Sequence, residues 1–197
     1  MTNEIVIVSG LPRSGTSLMM QLVKAGGMEI VTDHIRTADI DNPRGYHEFE
    51  RVKNLKEDSS WLPEIRGKAI KIVSKLLYDL PANESYRIIF MERNIDEVLA
   101  SQEKMLVRRG QPAAARSDIV PAFSMHLIRL YAWLASQGNI DLLRVAYADV
   151  LARPNPELLR INTFLGERLD VAAAARAIDS SLYRNHGNSL NPVCQSS

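Results

Sequence analysis

The chain has 197 residues, Lys and Arg nearly balance Asp and Glu to leave a formal net charge of +1, and there is one cysteine, Cys194. That length suits a single domain that buries its own core, and one thiol excludes an internal disulfide framework. The near-neutral balance argues against a general nucleic-acid or membrane-surface binder, and no run approaches a membrane span or a leader's apolar core, so the expected setting is a soluble, cytoplasmic domain.

In chain order, Ile5-Val6-Ile7-Val8 is a continuous β-branched run, the pattern of a strand buried on both faces. A loop follows, bounded by Gly10 and Gly15. Then Leu18, Met19, Leu22 and Val23 recur at helical spacing up to Gly26-Gly27. Met28–Val31 reads as a possible short strand. The segment 32–60 is polar and turn-rich and reads as a long functional loop with some helix after Glu48. Strands are expected over 69–73, 87–91 and 141–146. Helices are expected after Asn94, with Asn94 or Asp96 as the candidate cap, and over 119–134, 155–165 and 171–178. The segment 110–118 reads as a loop and the residues from Gly187 as a tail. Strands alternating with helices predict an α/β fold: one domain with a three-layer parallel sheet, helices on both faces, of the P-loop nucleotide-binding type.

Gly10-Leu11-Pro12-Arg13-Ser14-Gly15-Thr16-Ser17 lies where a strand becomes a helix. Glycines let the chain turn tightly enough for several amides to face one anion, and the helix start adds partial positive charge. The spacing is that of a P-loop, but Thr16 stands where a triphosphate-binding lysine belongs and the cation is Arg13. The predicted anion-binding set is Arg13, Ser14, Gly15, Thr16 and Ser17.

At these residues the sequence resembles the sulfotransferase family, of the bacterial type. Its Pro-Lys/Arg-Ser-Gly-Thr-[ST] loop, which holds the phosphosulfate of 3′-phosphoadenosine 5′-phosphosulfate (PAPS), is similar to Pro12–Ser17. The family's strand-ending Arg and the Ser eight residues on, both on the nucleotide 3′-phosphate, correspond to Arg93 and Ser101. Tyr147-Ala148-Asp149-Val150 followed by Phe164-Leu165-Gly166 resembles its Tyr-x-Asp-Leu turn and Phe-Leu-Gly helix end. Asn42-Pro43-Arg44-Gly45-Tyr46-His47-Glu48 resembles an Asn-Pro-x-Gly-x-x-Glu loop. The matches run from Ile5 to Gly166. They imply a PAPS-dependent sulfotransferase that leaves 3′-phosphoadenosine 5′-phosphate (PAP), needs no metal, and acts on a small-molecule or glycan acceptor.

Two departures stand out. The animal enzymes' catalytic His, following a Lys-Thr pair, has no counterpart in Lys71-Ile72-Val73-Ser74-Lys75, and their C-terminal Arg-Lys-Gly loop is absent. Arg184 is a candidate replacement for the latter contact.

Sulfuryl transfer needs a base for the acceptor, an in-line arrangement, and stabilisation of charge growing on the leaving phosphate. Arg13 and the loop amides suit the last task. Glu48, from the loop over the sheet's carboxyl edge, is the leading base, with His34 and His47 as rivals. Lys75, expected at a strand end, is a candidate for a sulfuryl oxygen. Arg108, Arg109 and Arg116 flank the 110–118 loop and read either as a solvated face or as an attractor of anionic acceptors. Other readings are a P-loop kinase, with Glu92 as a metal-holding acid, and a non-catalytic nucleotide-binding module.

Overall fold

In the computed structural model, residues 3–33, 35–36, 38–39, 42 and 45–178 are described. Four parallel strands form one sheet: β1 (Ile5–Gly10), β2 (Ala69–Lys71), β3 (Tyr86–Glu92) and β4 (Ile140–Ala146), in the order β2-β1-β3-β4. Among the described residues six α-helices accompany them: α1 (Thr16–Ala25), α2 (Ile95–Arg108), α3 (Arg116–Ala135), α4 (Tyr147–Ala152), α5 (Pro154–Phe164) and α6 (Val171–Arg176). Three 3-10 turns, Glu50–Asn54, Leu62–Ile65 and Ser74–Asp79, fill the crossovers around β2.

Strand alternation builds two cores. Val6 and Val8 of β1 and Ile89 and Met91 of β3 pack with α1, α5 and α6 on one face, through Met19, Leu22, Leu158, Ile161 and Ala174. Ile5, Ile7, Ile88 and Phe90 point the other way, onto Trp61, Leu62, Leu130 and Leu134. The unbroken apolar run of β1 is thus a strand covered on both sides, and the expected three-layer α/β architecture is the one observed.

β1 is central, with β2 on one side and β3 on the other, so the strand order reverses there. A crevice opens at such a switch point beyond the carboxyl ends of the strands, and the 10–16 turn leaves β1 into it. Asn94 caps α2, its side chain accepting from the Asp96 amide at 2.8 Å, as the sequence suggests.

Several expectations are corrected. The segment 28–31 forms only an isolated bridge, Ile30 to Ala69, because the edge of β2 offers just three paired residues. The loop before α3 ends at Ala115 rather than Asp118. Arg116 is drawn into the first turn by Glu103 of α2, with both guanidinium contacts at 2.7 Å. Along α3, Leu130 and Leu134 are buried and Leu127 and Trp133 are half-buried against the same core, while Met125 and Ile128 on the outer face are exposed, as an amphipathic helix requires. No helix of the described residues is long and apolar enough to cross a membrane.

Candidate active site

The turn after β1 is built by backbone geometry that side chains other than glycine's resist. Gly10 and Gly15 have φ of 153° and 101°, and Arg13 itself sits in the left-handed region at 68°. A Cβ at Gly15 would lie 2.3 Å from the Tyr147 ring, so that ring packs directly on the turn. Leaving the turn, α1 begins at Thr16 with Gly15 as its cap. The first amides of a helix have no intrahelical acceptor, and the residues that carry them here, Thr16 and Ser17, line the crevice.

The crevice is a cavity of about 450 Å³. Its wall takes Arg13, Gly15, Thr16 and Ser17 from the turn, Arg93 and Ser101 from the end of β3 and from α2, Lys71 and Val73 from β2 and its exit, and Arg36, Asn42, Tyr46 and Glu48 from the 32–48 segment. Lys104, Met105 and Arg108 of the last turns of α2, Arg109 at its end, and Tyr147 also line it. Seven of these side chains are cationic and one, Glu48, is acidic, in a protein whose net charge is only +1. Clefts lined by one sign of charge raise the local concentration of counter-ions.

Arg13 is the hub. Its Nε donates to Ser101 Oγ at 3.0 Å, and its carbonyl accepts from Arg93 Nη1 at 3.3 Å. Arg93 is nearly buried, pairs with Glu97 at 2.9 Å and lies 4.5 Å over the Tyr147 ring. The strand-end arginine and the serine nearly two helical turns into α2 therefore converge, as their spacing suggests, but they converge on Arg13. Glu97, the carboxylate paired with Arg93, stands four residues on in the chain, in the first turn of α2.

A second group centres on Glu48. Its Oε1 is 2.9 Å from Arg36 and 3.5 Å from Lys71. Arg36 stacks 3.3 Å over the Tyr46 ring, and the Tyr46 hydroxyl donates to Asp39 at 2.8 Å. Lys71 Nζ donates to the Tyr46 carbonyl and reaches Ser17 Oγ at 3.3 Å, so it bridges the phosphate turn and the carboxylate loop. Burial, the largest influence, lowers the Lys71 pKa; the neighbouring Glu48 opposes the shift.

Of the residues singled out from sequence, Arg13, Gly15, Thr16, Ser17, Glu48, Arg93 and Ser101 share the cavity wall. Ser14 does not. Its amide donates to the Leu11 carbonyl at 3.1 Å and its hydroxyl is buried against Gly10, so it shapes the turn from behind. Lys75 is also off the wall. The chain turns into a 3-10 helix at Ser74, which swings Lys75 outward beside His126, where its charge helps lower the histidine's pKa after burial. His126 meets Ser74 Oγ at 2.9 Å. The cations next to the carboxylate are Arg36 and Lys71, the latter legible in the sequence as a charge inside an apolar strand, which is costly to bury without a partner. Arg36 and Lys104 carried no comparable signal. His47 does not line the cavity, and His34, Pro43, Arg44, Arg184 and Cys194 lie outside the described residues. Glu92 is engaged by Arg144 at 2.7 Å and Tyr131 at 2.6 Å, away from the wall.

No protein-family model matches the sequence, and no curated protein matches it. Solved structures do. The mouse sulfotransferase SULT7A1, complexed with PAP, superposes with a TM-score of 0.59 at 16% identity, over 95% of this chain and 69% of that one. A sulfotransferase domain from a Synechococcus olefin synthase gives 0.53 at 15% identity, over 90% and 78%. The sulfotransferase domain of the curacin biosynthetic pathway gives 0.51 at 17%, over 92% and 89%. The fold is therefore of the sulfotransferase type, a parallel α/β sheet with its glycine-bounded turn at the switch point.

Proposed function

We propose that this protein is a sulfotransferase that moves a sulfuryl group from PAPS to a hydroxyl or amine of a small-molecule or glycan acceptor. The observation that carries the reading is the cation-rich cavity at the phosphate turn, with one carboxylate facing it, on a sulfotransferase-type fold. PAPS brings roughly four negative charges, at the level expected of a phosphomonoester plus a phosphosulfate. The residues present fit such a group: Gly15, Thr16 and Ser17 of the turn line the cavity, and Arg13, Lys71 and Arg93 surround the approach. The copy of PAP held by the mouse enzyme supports the same ligand class.

In this reading Glu48 accepts the proton of the acceptor O–H or N–H as the new bond to sulfur forms. The bond from sulfur to the bridging phosphate oxygen breaks, and PAP departs with the electron pair. Arg13 and the first amides of α1 stabilise that oxygen, being fixed before the reaction starts. Lys71, between Ser17 and Glu48, suits a sulfuryl oxygen in transit. Arg93 and Ser101 serve the 3′-phosphate. A kinase would need a lysine after Gly15 and an acid for magnesium, yet Thr16 follows Gly15 and Glu92 is tied to Arg144.

Thermal-shift titration tests the reading, because a ligand bound only by the native state raises its apparent stability. PAP should raise the melting temperature clearly more than ATP with magnesium. A larger shift with ATP and magnesium would sink it.

A further inference from the structure

The cations of the cavity fall into two groups. Arg13, Lys71 and Arg93 surround the phosphate turn. Lys104, Arg108 and Arg109 lie on the last turns of α2 and at its end. Ser101, Lys104 and Arg108 are spaced i, i+3 and i+7, so they share one face of the helix, and that face lines the cavity. From Ser101, which holds Arg13, the helix advances about 10 Å to Arg108. The second cluster thus begins beside the phosphate turn and ends well away from it.

Its far end meets the carboxylate loop. Arg109 Nη2 is 3.9 Å from Asp39, and Asp39 accepts from the Tyr46 hydroxyl at 2.8 Å. The Tyr46 carbonyl accepts from Lys71, which faces Glu48. The end of α2 is therefore tied to the segment that presents Glu48, on the side where an acceptor must lie. Favourable interaction with the helix C-terminus accounts for cations there in general. It does not account for their facing a concavity.

We infer that the acceptor is itself an anion: a hydroxyl or amine compound carrying a carboxylate, sulfate or phosphate group that Lys104, Arg108 and Arg109 hold while its nucleophile reaches Glu48. The inference rests on the sulfotransferase reading and adds the substrate class. Such a group would sit one to two helical turns, roughly 5–10 Å, from the nucleophile. Neutral analogues would forgo those contacts, and attraction of this kind weakens as salt rises.

The test uses the full chain saturated with PAP and matched probes: glucose, glucuronate and glucose 6-phosphate, and 4-hydroxyphenylacetamide against 4-hydroxyphenylacetate. Binding is read by calorimetry at low and high salt, on wild type and on the Arg108→Ala/Arg109→Ala double variant. In at least one set the anionic member should bind about tenfold more tightly than its neutral partner, with the advantage shrinking at high salt. The glucuronate and phosphate arms separate carboxylate from phosphate recognition. The double variant should lose the advantage while its affinity for PAP stays within about threefold of wild type. No anionic preference in any set overturns the inference and leaves the nucleotide reading intact. So does a tenfold loss of PAP affinity in the double variant, because these cations would then read the nucleotide. Failure of wild type to bind PAP at all overturns both readings together.

Discussion

Lys71 and Glu48 face each other at 3.5 Å across the seam between the sheet and the 32–48 segment, and the lysine is the more buried of the two, with 7% of its side chain exposed against 29%. A charge so enclosed lowers its own pKa, and the neighbouring carboxylate only partly restores it. Burial thus penalises the ammonium form of Lys71, a penalty that a nearby anion offsets.

The sign of the consequence follows from the direction of that shift. With the folded-state pKa of Lys71 below the unfolded value of about 10.4, the unfolded chain binds more protons between the two, so stability from this group rises with pH through that window. Below the folded pKa, the buried charge exacts its full penalty. The unfolding free energy of wild type relative to Lys71→Met should therefore increase as pH is raised from neutral towards about 10, measured by urea denaturation. A flat difference would mean Lys71 is solvated as well in the folded protein as in the unfolded chain. The same substitution should cut the thermal shift given by PAP.

Arg93 is expected to read the 3′-phosphate and to hold the site together. Arg93→Ala removes a charge-assisted contact to that phosphate, a loss of about 1.5–3 kcal/mol. Affinity for PAP should fall by that amount, and affinity for adenosine 5′-phosphate should fall clearly less. Because the substitution also strips Glu97 of a nearly buried ion pair at 2.9 Å, the melting temperature should drop as well. Equal losses for the two nucleotides would restrict Arg93 to the structural role.

How far the site could be read from sequence depended on how local each feature was. The turn, its glycines and Arg13 were legible because strand, turn and helix are contiguous. The eight-residue interval from Arg93 to Ser101 was legible because a strand end and one helix fix it. Which turn residues face outward was not: Ser14 has the right spacing, yet its amide closes the turn onto Leu11. Lys75 was misplaced because β2 gives way to a 3-10 turn at Ser74, and one change of helical phase moves a side chain to the other face. The approach of Arg109 to Asp39 depends on packing between segments 70 residues apart, and no local pattern encodes it.

Glu48→Gln keeps the size of the side chain and some hydrogen bonding to Arg36 but cannot accept a proton. With an acceptor identified by transfer of labelled sulfate from PAPS, turnover should fall by roughly 10²–10⁴, the contribution of a positioned base. Affinity for PAP should hold or improve slightly, since a negative charge has left a cavity that binds an anion. Wild-type turnover by the glutamine variant would remove Glu48 from the chemistry.

The contact between Gly15 and Tyr147 separates backbone strain from collision. At Gly15, φ is 101° and a Cβ would come within 2.3 Å of the Tyr147 ring. At Gly27, φ is 93° and nothing lies within 4 Å of a Cβ. Alanine at Gly27 should therefore cost only the left-handed backbone penalty, about 1–2 kcal/mol. Alanine at Gly15 should cost that and a forced displacement of the ring, typically 1–3 kcal/mol more. Tyr147 also stacks under Arg93, so the displacement should loosen Arg93 and weaken PAP. Replacing Tyr147 by Ala in the Gly15→Ala background should then be less damaging than the sum of the two single changes, a coupling that a double-mutant cycle reads directly. The backbone part of the penalty should persist. Strict additivity in stability would mean that the ring yields without cost, and that the turn owes its glycine to φ alone.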